Sequence, residues 1–300
     1  MEEPEASKLL ETKKTSYQKA ETIFKRFKSK SGAYKHIQTI QMERASFPSF
    51  GDNMVIVLIY LLALVVAQVV TADHNLELGF VMYTGIFLAL LFHSASLHDE
   101  KFAYLLMSMM ALPILGMVGL SMPIKVVGNL TWFLAAAVFI LGASYAIIKV
   151  QELKPEDVGL KLGDPKVQIL IALSGVLLGG LEYLILKPDP LIPHFTLRWV
   201  LIGGSILIIS TGIAEELLFR GIIQGNAEKV FGNAYGLLFA SLVFTSMHIV
   251  WKSIPDMIFI FAVALFYGYA FQKTRSIYGV MFSHGLANTF LLLVLPFLLG

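Results

Sequence analysis

The 300-residue chain has no cysteine. That absence excludes a disulfide framework, a thiolate metal site and a cysteine nucleophile. Charge is scarce as well. Asp, Glu, Lys and Arg make up 15% of the residues, against about 25% in an average soluble domain. What fills the space is apolar: 56% of the chain, before its 24 glycines are added, with a mean hydropathy of +0.72. One globular core cannot bury that much apolar surface. An ordinary soluble enzyme, a disordered tail protein and a nucleic-acid binder are therefore excluded. No internal repeat is visible, which argues against a transporter built from repeats. The first apolar run starts near Met54, so no secretory signal peptide is expected at the start.

Two regions differ in chemistry. Residues 1–52 hold ten Lys/Arg and seven Asp/Glu, and read as a polar, basic, cytosolic segment. Its apolar positions (Leu9, Leu10, Ile23, Phe24 and Phe27) are too thin a face for firm membrane attachment. After Gly51 come apolar runs of roughly bilayer-spanning length, about 20 residues each. They fall near 54–72, 78–97, 102–120, 126–148, 167–186, 198–222, 234–251, 255–272 and 277–298. Backbone groups in lipid must pair internally, so the runs are helices. The expected fold is all-α, a polytopic transmembrane bundle of eight or nine spans. Eight remains open because Pro113 interrupts one run and 255–272 is short. Residues 53–166 are expected to be accessory transmembrane helices, and 167–300 the functional core. With nine spans and a cytosolic N-terminus, 19 of the 23 Lys/Arg fall on the cytosolic side and four (Lys125, Lys187, Arg198 and Lys252) on the other. That asymmetry supports the orientation. The expectation is a multi-pass integral membrane protein, in the plasma membrane if the source is prokaryotic.

Ionisable groups inside a span are costly and are functional candidates by default. Glu182 lies one turn from Lys187 and reads as pairing with it or reaching the interface. Glu215 and Glu216 are adjacent, about 100° apart on an α-helix. Glu216 and Arg220 are spaced to form an i,i+4 ion pair, which leaves Glu215 free to face another helix. A buried structural pair with no chemistry is the alternative. His248 follows Phe244 by one turn. His284 and Asn288 share one helical face, as a polar helix–helix contact or as a pair of donors. At about 1.5 Å per residue, Glu215 and His284 lie roughly 10 Å from the cytosolic ends of their spans, Asn288 roughly 17 Å and His248 roughly 21 Å. The groups can meet, and one shared site explains them better than separate structural contacts.

Glutamate, histidine and asparagine together suggest activated water attacking a carbonyl. Glu215 would take the proton, His248 would orient or polarise the water, and His284 and Asn288 would hold the oxyanion. Glu216 and Arg220 would fix the helix around Glu215. A Zn²⁺ version would use Glu215, His248 and His284 as ligands with an open position for water, although the H-E-x-x-H signature is missing. A non-catalytic membrane immunity or assembly protein could carry the same residues as helix ties.

In these residues the chain resembles the CAAX protease and bacteriocin-processing (CPBP) family of intramembrane proteases. Glu215, Glu216 and Arg220 match its Glu-Glu-x-x-x-Arg motif, with Phe219 and Gly221 also as the family often has them. Phe244 and His248 match Phe-x-x-x-His, and His284 and Asn288 match His-x-x-x-Asn. The motifs stand in family order within about 167–298. The resemblance implies a metal-free glutamate-dependent endopeptidase with Glu215 and His248 catalytic and His284 with Asn288 as the oxyanion pair. It implies no cofactor, the lipid bilayer as surroundings, and a peptide or prenylated CAAX protein as substrate. Phe244, Phe259, Phe261, Phe266 and Phe271 read as lipid-facing or packing aromatics.

Overall fold

The computed structural model describes residues 50–73, 75–121 and 128–300. The basic segment up to residue 49, Pro123, Lys125 and the start of the run at 126–148 lie outside these residues. From Phe50 to Gly300 the chain is one compact unit, an all-α polytopic bundle. The helices are α1 Phe50–Ala72, α2 Leu76–Ser96, α3 Glu100–Met109, α4 Ala111–Ser121, α5 Asn129–Val150 and α6 Pro165–Leu186. Then follow α7 Leu197–Leu207, two π-helical segments (Ile208–Glu215 and Leu217–Gln224), α8 Gly225–Ser246, α9 Ile254–Thr274 and α10 Tyr278–Thr289. A π-helical turn, Phe290–Val294, and α11, Leu295–Leu298, end the chain.

Local chemistry sets several of the boundaries. Asp164 accepts a hydrogen bond from the Lys166 amide and Pro165 opens the helix, so α6 has both a cap and a pre-set first residue. Ser253 accepts from the Asp256 amide at the start of α9, again with a proline in the first turn. Pro113 lacks the N–H that Met109 would receive, and the break between α3 and α4 falls at Met110.

Eight helices among the described residues are long and apolar enough to cross a membrane, counting α3 with α4 as one. The sixth runs from Leu197 to Trp251, 55 residues. Straight, it would be about 80 Å long, against a hydrocarbon core of about 30 Å. It does not run straight. Gly232 has φ 79°, ψ 170°, a conformation open to glycine at little cost. Beyond it the chain folds back until a Cβ on Gly236 would collide with the Glu228 backbone. In a continuous helix those residues would stand about 12 Å apart. The sixth helix is therefore two arms, matching the two runs expected at 198–222 and 234–251.

The outward faces are apolar because lipid takes the place of water. On α6, Leu170, Leu177 and Leu184 are 72%, 66% and 63% exposed. Its inner face is Gly175, Gly179 and Glu182, all buried. A Cβ at Gly175 or Gly179 would run into the carbonyl oxygens of Ser283 and Ala287 on α10. This is close backbone packing by small residues four apart. On the other side of α10, Gly212 sits against the Met281 carbonyl and Gly285 against Ile208. Helix α10 is thus clamped between α6 and the π-helical segment that carries Glu215.

Candidate active site

Two π-helical stretches flank Glu216, which is itself α-helical. The i→i+5 bonding of a π-helix winds more residues into each turn than the 3.6 assumed from the sequence, and such turns are frequent at functional sites. The expected ion pair forms: Arg220 Nε lies 3.2 Å from Glu216 Oε2, with both side chains almost fully buried. Glu216 also has a second partner, on another helix. Its Oε1 accepts a hydrogen bond from His284 Nδ1 at 2.8 Å. One carboxylate therefore joins Arg220 on its own helix to His284 on α10. The Arg220 guanidinium carbon lies over the Phe244 ring at 4.3 Å and over the Tyr267 ring at 5.7 Å, which offsets part of the cost of burying a cation. Arg220, one of the 19 Lys/Arg expected on the cytosolic side, is buried at 2% exposure. Without it 18 still stand against four. Gly221 lets the Val158 carbonyl approach the motif helix where a Cβ would block it.

Glu215 is partly exposed, and the charges of His284, Glu216 and Arg220 all act on it. His248 stands just past the end of α8. Its Nδ1 donates to the Phe244 carbonyl at 3.0 Å. A carbonyl can only accept, so in the neutral ring Nε2 keeps its lone pair. Phe244 stands between the two imidazoles, with ring centroids 4.8 Å from His248 and 5.8 Å from His284. It is a wall of the site and not a lipid-facing aromatic. Phe271 is also buried, whereas Phe266 faces outward.

A small cavity is lined by His248, His284, Asn288, Phe244, Tyr267 and Glu182, among others. Its volume is about 20 Å³, on a measure by which one water needs roughly 10–15 Å³. The structure thus brings His248, His284 and Asn288 to one water-sized space. Glu216 reaches it through His284 and carries Arg220 behind it; neither these two nor Glu215 is among the residues that form its wall. Glu182 is. The expectation that Glu182 would pair with Lys187 or reach the interface is corrected: it is 9% exposed, while Lys187 is exposed. The small-residue spacing explains the difference. Glu182 follows Gly179 by three residues and Gly175 by seven, so it shares the face that packs on α10. That spacing was legible in the sequence as a pointer to Glu182.

Among the described residues no three His, Asp or Glu side chains are grouped so as to hold a metal ion. Glu215, His248 and His284, the ligand set considered for Zn²⁺, do not form such a group. A hydroxyl chain runs beside the cavity, from Tyr267 to Ser283 at 2.9 Å and on to Ser174 at 3.0 Å.

Fold and site together define a polytopic membrane protein with carboxylates, imidazoles and an amide gathered inside the bundle. Residues 197–290 match the family model of the type II CAAX prenyl endopeptidases, Rce1-like. That match is consistent with an intramembrane protease of the CPBP family. That family is one of proteases, which supports an endopeptidase at the family level. No curated protein and no solved structure matches the chain.

Proposed function

We propose that the protein is an intramembrane endopeptidase that hydrolyses a peptide bond with water activated by Glu215 and His248, near the C-terminus of a prenylated CAAX protein. The observation that carries the reading is the 2.8 Å bond from His284 to Glu216. It ties the first motif to the third at the cavity that His248 and Asn288 also line. His248, held through Nδ1, offers Nε2 to a water. Glu215, set back from the cavity wall, takes the proton as general base through a second water. Asn288 offers its amide to the developing oxyanion. Donation from His284 through Nε2 requires the ring to carry both protons, and the Glu216 carboxylate on Nδ1 balances that charge. One such donor is worth roughly 10²–10³ in rate. No metal or cofactor takes part. The N-terminus is cytosolic on this reading.

The test is cleavage of a quenched-fluorescent farnesylated CAAX peptide by the purified protein in detergent, with excess chelator, beside Glu215→Ala. Chelator-resistant cleavage that disappears in Glu215→Ala is the expected result. Full cleavage by that variant contradicts the mechanism, and loss of cleavage on chelation returns the zinc version.

A further inference from the structure

Peptide hydrolysis makes three demands of a site: a base for the water, donors for the oxyanion, and a proton for the departing nitrogen. An amide nitrogen does not leave as an anion, and a buried site has little bulk water to supply the proton. On the reading above, Glu215 and His248 meet the first demand, and His284 and Asn288 the second. The third is unassigned. One carboxyl group does line the cavity, and it comes from an element outside all three motifs. Glu182 is 9% exposed and shares the cavity wall with His248, His284 and Asn288. Among the described residues it has no ion-pair partner. The charges that reach it are those of Asp256 and His284. Its helix is fixed against α10 by Gly175 and Gly179, so the carboxyl is held at a set height beside His284 and Asn288.

We infer that Glu182 is the general acid that protonates the leaving amine. This rests on the proposed endopeptidase reading. In the first step water forms its oxygen–carbon bond to the scissile carbonyl and gives a proton to Glu215. In the second the carbon–nitrogen bond breaks as the nitrogen takes the proton of the Glu182 carboxyl. A carboxylic acid and an amine are released. The proton on Glu215 then returns to Glu182 through the relaying water and the water in the cavity, which resets both groups. The sum is one peptide bond and one water consumed, with no other reactant.

The test compares two substrates: the farnesylated CAAX peptide, and its depsipeptide with oxygen in place of the scissile N–H. An ester needs far less help from an acid than an amide. Glu182→Gln is expected to lower amide turnover about 10²–10⁴-fold, the usual worth of a positioned acid, and ester turnover by less than about tenfold on the same scale. Glu215→Gln is expected to lose both. Equal losses on amide and ester in Glu182→Gln would make the residue a structural or positioning one and overturn the assignment. So would undiminished amide turnover by Glu182→Gln. If the wild type cleaves neither substrate, the endopeptidase reading fails and this inference fails with it. If wild type cleaves both and only the Glu182 pattern is missing, the inference alone fails. Thermal unfolding in detergent checks that each variant is folded. Should Glu182→Gln unfold, Glu182→Asp carries the same comparison: a shortened acid is expected to slow the amide more than the ester, and an equal loss overturns the proposal.

Discussion

At the scale of single residues, Glu216 carries the most structure. It is fully buried and holds Arg220 and His284. Removing one member of a buried charge pair leaves the other uncompensated, at a cost of roughly 3–5 kcal/mol. Glu216→Gln is therefore expected to destabilise the protein strongly. Arg220→Lys keeps the charge but loses the guanidinium fork on Glu216 and its placement over Phe244, at a cost below the roughly 2 kcal/mol of a whole desolvated cation–π contact. Unfolding of both variants in mixed micelles should give that order, and a Glu216→Gln variant as stable as the wild type contradicts the bridging role. The motif residues were legible in the sequence because their types and spacings are unusual inside apolar runs. The partner of His284 was not legible, since a hydrogen bond between Glu216 and a residue 68 positions later depends on helix packing. Glu182 was misread for a simpler reason. Its neighbour in sequence, Lys187, outweighed the glycine face that decides where it points.

At the scale of elements, packing on α10 sets the site. Gly179 and Gly180 are adjacent and differ in what a methyl would meet. At Gly179 it collides with the Ala287 backbone; at Gly180 it meets nothing within 4 Å. Gly179→Ala is expected to lower stability by about 1–3 kcal/mol through overpacking and to reduce activity by shifting Glu182 and Ala287. Gly180→Ala is expected to be neutral or stabilising, since alanine is the better helix former by about 1 kcal/mol. Thermal melts and turnover of the pair check this; equal effects contradict the packing account. The π-helical segments around Glu216 were not legible, because apolar periodicity cannot distinguish windings this close. The reversal at Gly232 was visible only as a gap between two apolar runs.

At the scale of the whole molecule, the absence of cysteine makes topology measurable. Single cysteines can be placed without a background thiol. If the Leu197–Trp251 segment is two arms, Glu156→Cys and Lys229→Cys are labelled from the same side, the cytosolic one on the proposed orientation. Asp189→Cys and Lys252→Cys are then labelled from the other. Labelling of Lys229→Cys together with Asp189→Cys contradicts the folded-back arms. Labelling of all four with the sides exchanged contradicts only the orientation.

On the proposed mechanism Glu215 and His248 act as one unit on one water. A double-mutant comparison of Glu215→Gln, His248→Gln and the combined variant on the farnesylated CAAX peptide tests it most directly. Groups that serve a single step are strongly non-additive. Each single change is expected to remove nearly all turnover, and the double variant to be little worse than the poorer single one. Losses that multiply, or substantial turnover in either single variant, would contradict it.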